Sequence, residues 1–299
     1  MYDKSDPRAA LAPKNAPAGA RVGLVAEAQE AYFHKDTPQI DDETGKTWLL
    51  RGHNFVLAWS QSNVGGRLSR LGQADEYAVL LPETGAIIEW NGTKTEVPGW
   101  SLAFVPAGDS TVTLPDGGPV TRLFTTRSDD LTKQCSNAVA YDVPRSHIPA
   151  FIPWPEPADG WKVRSYSLDV PKEEGRFGRI FRCTTMMVNV LDSYDGPRDP
   201  SKMSPHHHED FEQCSLAIQG EFNHYLRWPW TTDMADWRDD MTVTMASPSA
   251  LVIPPPVVHT TRAMGTGINQ LVDIFCPPRI DFSQKAGWVL NADDYPLPS

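Results

Sequence analysis

Short apolar runs that alternate with polar residues recur along this chain, and turn-forming residues separate them. The 299 residues include 27 prolines and 21 glycines, which divide the chain into short stretches. Because alternate side chains of a β-strand point to opposite faces, this pattern predicts strands joined by turns and an all-β protein. The clearest candidate strands are residues 55–59, 77–81, 86–90 and 101–105.

Two local signals and one repeat refine this prediction. The dipeptide Asn91-Gly92 favours a two-residue hairpin turn. Residues 22–34 form the one stretch that predicts a short helix. The apolar run at 250–253 is followed by a proline, as is the run at 101–105, and this likeness indicates an internal duplication.

Charge and composition exclude several classes of partner. Lys and Arg number 27 against 38 Asp and Glu, so the formal net charge is −11, and no basic run stands out. This balance disfavours nucleic acid and anionic membranes as partners. Residues 1–21 lack the apolar core of a signal peptide, so we expect a cytoplasmic protein. The four cysteines show no C-x-x-C spacing, which predicts buried free thiols.

A histidine triplet is the strongest chemical signal in the sequence. His206, His207 and His208 precede an alternating apolar run that ends at Gly220. On an extended strand the first and third of these rings share one face and the second points away. Imidazole is the commonest ligand for divalent transition metals, so the spacing predicts half of a metal site. Gln213 and His259 fit the third and fourth ligand places.

These spacings resemble the paired motifs of the cupin superfamily. In this sequence His206-x-His208 is followed by four residues, then Gln213, then six residues and Gly220, with a proline run before His259. The resemblance implies two cupin barrels (jelly rolls) in tandem, an all-β fold. Cupins of the germin type carry Glu where Gln213 stands, and a shift of one residue would make Glu212 the ligand instead. The Glu-Gln pair and the stretch 271–282 resemble a branch that linearises unsaturated uronates.

The resemblance also implies a division of the chain. We expect an N-terminal arm over 1–35, a first barrel over 36–145, a proline-rich linker over 146–160, and a metal-binding barrel with a C-terminal tail over 161–299. In the first half of the chain, the positions equivalent to the four ligands carry side chains that together cannot bind a metal. The first barrel is therefore predicted to carry no metal. By spacing, those positions are Leu71, Gln73, Ala78 and Thr111.

The ligand set itself suggests a type of chemistry. Three neutral imidazoles and one neutral amide leave the charge of a divalent ion uncompensated, which favours a strong Lewis acid. An ion that prefers six ligands would have two open positions, enough for a substrate to chelate through a carboxylate and a neighbouring oxygen. The cofactor is predicted to be one divalent transition metal ion, and the sequence leaves iron, manganese, nickel and zinc open.

Five further residues are candidates for catalysis or substrate binding. His224 would point into the barrel and is the first candidate for the general base, or it is a hydrogen-bonded part of the barrel wall. Glu212 is the second catalytic candidate, or it orients a ligand of the metal. Arg262 would pair with a substrate carboxylate. Trp228 and Trp230 would stack on the substrate, or they pack against a neighbouring barrel or a dimer partner.

Three function classes remain open on the sequence alone. The first is a lyase or isomerase that acts on a small keto, hydroxy or sugar acid. The second is an oxygen-dependent dioxygenase with iron, and the third is a binding module without catalysis. The expected partners are a small-molecule substrate and a second copy of the chain in a homodimer.

Overall fold

The computed structural model describes residues 26–143, 145–231 and 234–298. It confirms the all-β class, since strands predominate and helices are few and short. In chain order the strands are β1 (Gln29–Tyr32), β2 (Ile40–Asp42), β3 (Gly45–Arg51), β4 (Phe55–Ser62), β5 (Gly66–Gln73), β6 (Tyr77–Leu81), β7 (Ala86–Trp90), β8 (Thr93–Val97), β9 (Ser101–Val105), β10 (Gly108–Leu114), β11 (Gly118–Thr125), β12 (Arg164–Ser167), β13 (Arg179–Arg182), β14 (Met187–Val190), β15 (Tyr194–Asp195), β16 (Gln213–Gln219), β17 (Glu221–Arg227), β18 (Met241–Ala246), β19 (Ser249–Ile253), β20 (Val258–Ala263) and β21 (Ile268–Phe275).

The helices are α1 (Asp129–Thr132) and α2 (Ile280–Ser283), each of a single turn. Two 3₁₀ turns span Ala138–Tyr141 and Met234–Asp236. In the described part of the chain, no helix is both long and apolar enough to cross a membrane.

The strands form two pairs of antiparallel sheets, one pair for each barrel. The first barrel combines a seven-stranded sheet, in the order β12-β9-β6-β11-β4-β3-β2, with a four-stranded sheet, β5-β10-β7-β8. The second barrel combines the path β1-β19-β16-β21-β14-β13, to which β15 adds through β21, with the three-stranded sheet β18-β17-β20. Both halves of the chain therefore repeat the same arrangement of a large and a small sheet, in line with the predicted duplication.

Each barrel receives an edge strand from beyond its own half of the chain. Strand β1 pairs with β19 of the second barrel, over the register Gln29↔Val252 to Tyr32↔Ser249. Strand β12 follows the proline-rich connector and pairs with β9 of the first barrel. The helix predicted over 22–34 is wrong where the structure describes it, because 29–32 gains cross-strand hydrogen bonds that its weak helical pattern cannot match. Residues 22–25 lie outside the described part.

The largest apolar core lies between the two barrels and not inside either one. Alternate residues of β3 and β4 divide between two clusters, as strand geometry requires. Leu50, Leu57 and Trp59 join residues of the second half, such as Leu216 and Ile274, in the inter-barrel core. The other alternate set, which includes Leu49, Val56 and Ala58, fills the interior of the first barrel with other apolar side chains.

The interior of the second barrel is more polar. On β16 the side chains of Gln213 and Ser215 point inward, while Cys214 and Leu216 enter the inter-barrel core. Asp273 of β21 lies opposite Ser215 and points inward as well. The four cysteines are buried free thiols, as predicted. The two barrels thus differ in their interiors, and the polar one holds the candidate site.

Candidate metal centre

Three imidazole rings meet inside the second barrel. Among the described residues, His206, His208 and His259 are the one group of three His, Cys, Asp or Glu side chains that could hold a metal ion, with ligand atoms within 4.8 Å of one another. The ring centroids of His206 and His259 lie 4.4 Å apart, and that of His208 lies 5.1 and 5.3 Å from them. All three side chains are buried.

Local backbone structure brings these rings together. His206 and His259 face each other across an isolated antiparallel bridge in which each backbone N–H donates to the other's carbonyl, at 3.0 and 2.7 Å. His207 points away, as predicted, and its ring lies 2.8 Å from the Glu209 carboxylate at the surface. His208 packs against Phe211, with ring centroids 4.5 Å apart.

Backbone carbonyls fix the tautomers of two rings. The Nδ1 atom of His206 lies 2.9 Å from the Ser204 carbonyl oxygen, and that of His259 lies 2.9 Å from the Val257 carbonyl oxygen. Since a carbonyl oxygen only accepts, Nδ1 must carry the proton in both rings. In the neutral ring Nε2 then presents a lone pair, which is the form that binds a metal.

Gln213 presents its amide oxygen to the same cluster. The Oε1 atom lies 2.9 Å from Nε2 of His208 and 3.4 Å from Nε2 of His259. The Nε2 atom of Gln213 donates to Asp273 Oδ1 and to Ser215 Oγ, both at 3.0 Å. Ser215 Oγ donates to the same carboxylate oxygen at 2.9 Å. Because a carboxylate only accepts, Asp273 fixes which end of the amide faces the rings.

The donor set suits a divalent transition metal. Three imidazole nitrogens and one amide oxygen are the ligand types of iron, manganese, nickel and zinc, whereas calcium and magnesium favour sites made of oxygen alone. The buried carboxylate behind the amide is the kind of supporting contact that orients metal ligands in proteins. The residues present therefore fit the predicted ion, although which metal they hold remains a prediction.

A cavity of about 450 Å³ opens onto this cluster. His206, Gln213, His259 and Asp273 form part of its wall. The apolar side of the wall is formed by Phe177, Phe222, Leu191, Leu271 and Ala263. Its other charged side chains are the basic Lys172, Arg176, Arg198 and Lys202 and the acidic Glu173, Glu174 and Asp192. The volume falls in the range of about 300–1,000 Å³ that is usual for small-molecule sites.

His224 faces the barrel interior but does not line this cavity. Its Nδ1 atom lies 2.9 Å from Thr261 Oγ1, its partner across β17 and β20. Burial is the largest cause that lowers the pKa of His224, to about 3. The ring is therefore neutral and weakly basic, which suits a hydrogen-bonded part of the wall better than a general base.

Glu212 points away from the cluster and into the interface between the barrels. Its carboxylate forms an ion pair with Arg145 and accepts from the His53 backbone N–H at 2.6 Å and from the Tyr141 hydroxyl at 3.2 Å. Burial raises the pKa of Glu212, and the Arg145 charge opposes this shift. Glu212, the residue before β16, and Gln213, its first residue, thus point in opposite directions, and the amide is the one of the two that lies beside the histidines.

The structure does not bring the three predicted substrate-binding residues to the cavity wall. Arg262 donates from Nε to the Arg198 carbonyl oxygen at 3.1 Å. Trp228 is buried and donates from Nε1 to the Ala26 carbonyl oxygen at 3.0 Å. Trp230 is 78% exposed and stacks on Trp237. Their roles in binding stay predictions, and the cavity wall offers other side chains for the task.

Sequence reasoning missed Asp273 and Ser215. The signal for Asp273 was present, since it is the one acid in the otherwise apolar run 271–276. A charged residue in a buried strand requires a partner, and that requirement marks it for attention. Ser215 carries no comparable signal, because a serine in a strand is ordinary.

The strand register shows which positions of the first barrel are equivalent to the candidate metal ligands of the second. It corrects the positions that counting along the sequence predicts. Tyr77 opens β6 opposite Val105, as Gln213 opens β16 opposite Ile253. Ser110 is the counterpart of His259, because it pairs with Trp90 in the way that His259 pairs with Leu226. Arg70 is the counterpart of His206, because it pairs with Ser110 in the way that His206 pairs with His259. The Tyr77 hydroxyl and Ser110 Oγ lie 2.9 Å apart.

Three of the four residues predicted for those positions lie elsewhere. Ala78 belongs to the inter-barrel core and Leu71 is 82% exposed. Thr111 lies one position beyond the inward-facing Ser110, because β10 has an irregularity between Gly108 and Ser110 that counting along the sequence cannot detect.

Known structures share this architecture at very low sequence identity. An oxalate decarboxylase from Lactobacillus farciminis, solved as a formate complex, is 14% identical with a TM-score of 0.55, over 86% of this chain and 87% of that one. The oxalate decarboxylase of Bacillus subtilis, in a study of its Mn(II) centres, is 12% identical with a TM-score of 0.54, over 85% and 78%. AerE from Microcystis aeruginosa is 8% identical with a TM-score of 0.54, over 85% and 98%.

Sequence comparison adds nothing to these structural matches. No protein-family model matches the chain, and no curated protein matches it by sequence. At identities this low the likeness speaks for the fold alone, and the sheet order of the two halves agrees with it. The chain therefore has the bicupin fold, an all-β architecture of two cupin barrels in tandem.

Proposed function

We propose that this protein is a metal-dependent enzyme whose second barrel transforms a small keto, hydroxy or sugar acid by lyase or isomerase chemistry. The observation that carries the proposal is the buried cluster of three histidines and Gln213 at the wall of a 450 Å³ cavity. Oxalate decarboxylases with the same fold, one of them described with Mn(II) centres, support this class of reaction.

His206, His208, His259 and Gln213 would hold the ion. A divalent ion bound there supplies Lewis-acid polarisation of a carbonyl or carboxylate oxygen. Neutral ligands leave the charge of that ion available to an anionic substrate, and Asp273 behind Gln213 keeps the amide oxygen directed at the cluster. The protein thus orients the ligands.

The cavity suggests the kind of acid that fits. Its volume exceeds the space that a two-carbon diacid needs, and one side is apolar through Phe177, Phe222 and Leu271. Arg198 lies on the wall but already donates to the Thr261 carbonyl oxygen at 2.9 Å and to Ser204 Oγ at 2.8 Å. We therefore infer a substrate with a carboxylate at the metal and an apolar or ring portion against the phenylalanines.

A dioxygenase is the second candidate. The apolar side of the cavity favours it, because an aromatic or hydrophobic substrate would pack against Phe177 and Phe222. Iron with open positions also suits substrate and oxygen together.

Turnover with and without oxygen separates the two candidates. Protein purified without added metal is analysed for its elements and then loaded with Mn²⁺ or Fe²⁺. Each form is offered keto acids, hydroxy acids, uronates, diketones and catechols in air and under argon. The lyase or isomerase proposal expects equal product in both atmospheres. Oxygen uptake stoichiometric with product would overturn it in favour of the dioxygenase, and metal binding without any turnover would favour a binding module.

A further inference from the structure

Arg122 carries a charge into the interior of the first barrel. It lies on β11 between Ala58 of β4 and Val79 of β6, and both neighbours belong to the apolar core of that barrel. The side chain is 6% exposed. Burial lowers the pKa of Arg122 to about 10, so the guanidinium is still charged at neutral pH.

No carboxylate in the described part of the chain pairs with this guanidinium. Its Nε atom is fully buried and has no hydrogen-bond partner there. The Arg122 guanidinium lies 5.6 Å from the Phe124 ring centroid, and that of Arg70 lies over the same ring at 5.2 Å. Arg70 already has a counter-charge, since its Nη atoms donate to both oxygens of Asp130, at 2.6 and 3.0 Å.

Burying a cation without a counter-charge is energetically unfavourable. Desolvation of an ion costs several kcal/mol even after the protein relaxes, so native proteins supply buried charges with partners. Contact with an aromatic face offsets only part of this cost. The described side chains therefore provide no acceptor for the buried Nε atom of Arg122.

Comparison of the two barrels shows which ligand fits. The register of the strands matches residues of the two barrels one by one. Tyr77 corresponds to Gln213, Val79 to Ser215, and Arg122 to Asp273. In the second barrel, the carboxylate of Asp273 lies behind the candidate metal centre. At the same position of the first barrel lies the guanidinium of Arg122. The duplication has reversed the sign of the charge, and a site of reversed sign selects an anion.

We propose that the first barrel binds a small monovalent anion, a halide or a one- or two-carbon carboxylate, against Arg122 and beside the Tyr77 hydroxyl. The small size follows from the apolar core of the first barrel, to which both strand neighbours of Arg122 belong. The Tyr77 hydroxyl and Ser110 Oγ, 2.9 Å apart, form a polar pair that donates the remaining proton to the anion. This site is independent of the metal centre and of the reaction proposed for it.

Thermal unfolding of the full chain in different sodium salts tests the proposal. Chloride, bromide, formate and acetate are compared with gluconate, which is too large, at equal ionic strength. We expect the midpoint to rise by about 4 °C with a binding anion, and the halide and carboxylate arms to show which chemistry is preferred. Arg122→Met should abolish the difference between salts.

A matched variant controls for general salt effects. Arg279→Met also removes a buried arginine, but one paired with Asp281 at 2.6 Å, and it should retain the dependence on the anion. A midpoint equal in all salts, or a dependence that survives in Arg122→Met, would overturn the proposal. If Arg122→Met does not fold, anomalous diffraction from wild-type crystals grown in bromide decides: a peak about 3.3 Å from the Arg122 guanidinium supports the site, and its absence refutes it.

Discussion

At the scale of single residues, one hydrogen bond orients the amide of Gln213 in the candidate metal centre. Asp273 accepts from the Gln213 Nε2 atom and so directs Oε1 toward the imidazoles. Were the amide turned round, its N–H groups would face the ring nitrogens and repel a cation. Asp273, which lies outside the proposed ligand set, would therefore govern the affinity for an ion held there.

Replacing Asp273 should weaken metal binding without removing a ligand. We expect Asp273→Leu to bind Mn²⁺ about 10- to 100-fold more weakly, because the amide of Gln213 loses its anchor. Asp273→Asn keeps an acceptor oxygen for Gln213 and should retain most of the affinity. Competition with a fluorescent chelator measures both constants, and equal affinity of the Leu variant and wild type would contradict this role.

The histidine triplet offers a matched pair of variants. His208→Ala removes a ring from the cluster, so Mn²⁺ affinity should fall by at least about 10-fold. His207→Ala removes its exposed neighbour, whose ring contacts Glu209, and should leave the affinity unchanged. Metal content after dialysis, measured for both proteins, checks the pair. Similar metal content in the two variants would show that the cluster is not the site.

Much of this centre could be predicted because its signals are local. The spacing of His206, His208 and Gln213 along an extended chain fixes which side chains share a face. The Asp273 contact could not be predicted in this way, since it joins residues 60 positions apart and depends on the pairing of β16 with β21. The aromatic run around Trp228 and Trp230 was ambiguous for the same reason, because aromatic content does not tell which surface a ring meets.

At the scale of elements, β1 connects the two barrels. The strand completes the sheet of the second barrel through β19, and the next residue, Phe33, stacks on Trp59 of the first barrel with ring centroids 5.3 Å apart. Its helical pattern in the sequence is overridden because pairing and burial are decided by distant residues. Local propensity carries too little free energy to compete with them.

Truncating Phe33 should therefore destabilise the whole molecule. We expect Phe33→Ala to lower the free energy of unfolding by about 3–5 kcal/mol, because a 2% exposed ring leaves a cavity in the inter-barrel core. Val64→Ala truncates an apolar residue that is 80% exposed and should change it by less than about 0.5 kcal/mol. Denaturant titration measures both, and a loss of under about 1 kcal/mol in Phe33→Ala would contradict the role assigned to this segment.

At the scale of the whole molecule, a buried carboxylate links the barrels. Glu76 of the first half accepts from the Thr184 backbone N–H at 2.9 Å, the Thr184 hydroxyl at 2.8 Å and the Tyr295 hydroxyl at 2.8 Å. Burial is the largest influence on this group and raises the pKa of Glu76 above the ordinary 4.5, while these hydrogen bonds oppose the shift.

This link predicts a dependence of stability on pH. Because the folded state holds the proton of Glu76 more tightly than the unfolded chain, its contribution is complete below pH 4.5 and is lost as pH rises through the folded pKa. Glu76→Gln keeps a carbonyl oxygen for Thr184 and an N–H for Tyr295 but does not ionise. The stability of wild type relative to this variant should therefore fall above pH 4.5, by at most about 1.4 kcal/mol per pH unit.

Denaturant unfolding of both proteins between about pH 4 and 8 gives the difference curve. A flat curve would show that Glu76 does not titrate differently in the folded state. A curve of opposite slope would show that the hydrogen bonds outweigh burial.

The overall architecture was the most predictable level. Alternation and frequent turns define an all-β chain, the paired motifs imply one cupin barrel, and the repeated apolar run before a proline indicates a second one. How the barrels associate was not predictable, since the residues of the inter-barrel core, such as Leu57 and Ile274, resemble interior residues of any strand in the sequence. The homodimer stays a prediction.

The crossing of edge strands limits how this polypeptide can be divided. A cut near residue 150 would give one fragment that carries β1 without its partner β19 and another that carries β12 without its partner β9. Each fragment expressed alone would display unpaired backbone along an open sheet and should precipitate. Co-expressed, the two fragments should recombine through the same strands, which makes this chain a natural starting point for a split reporter.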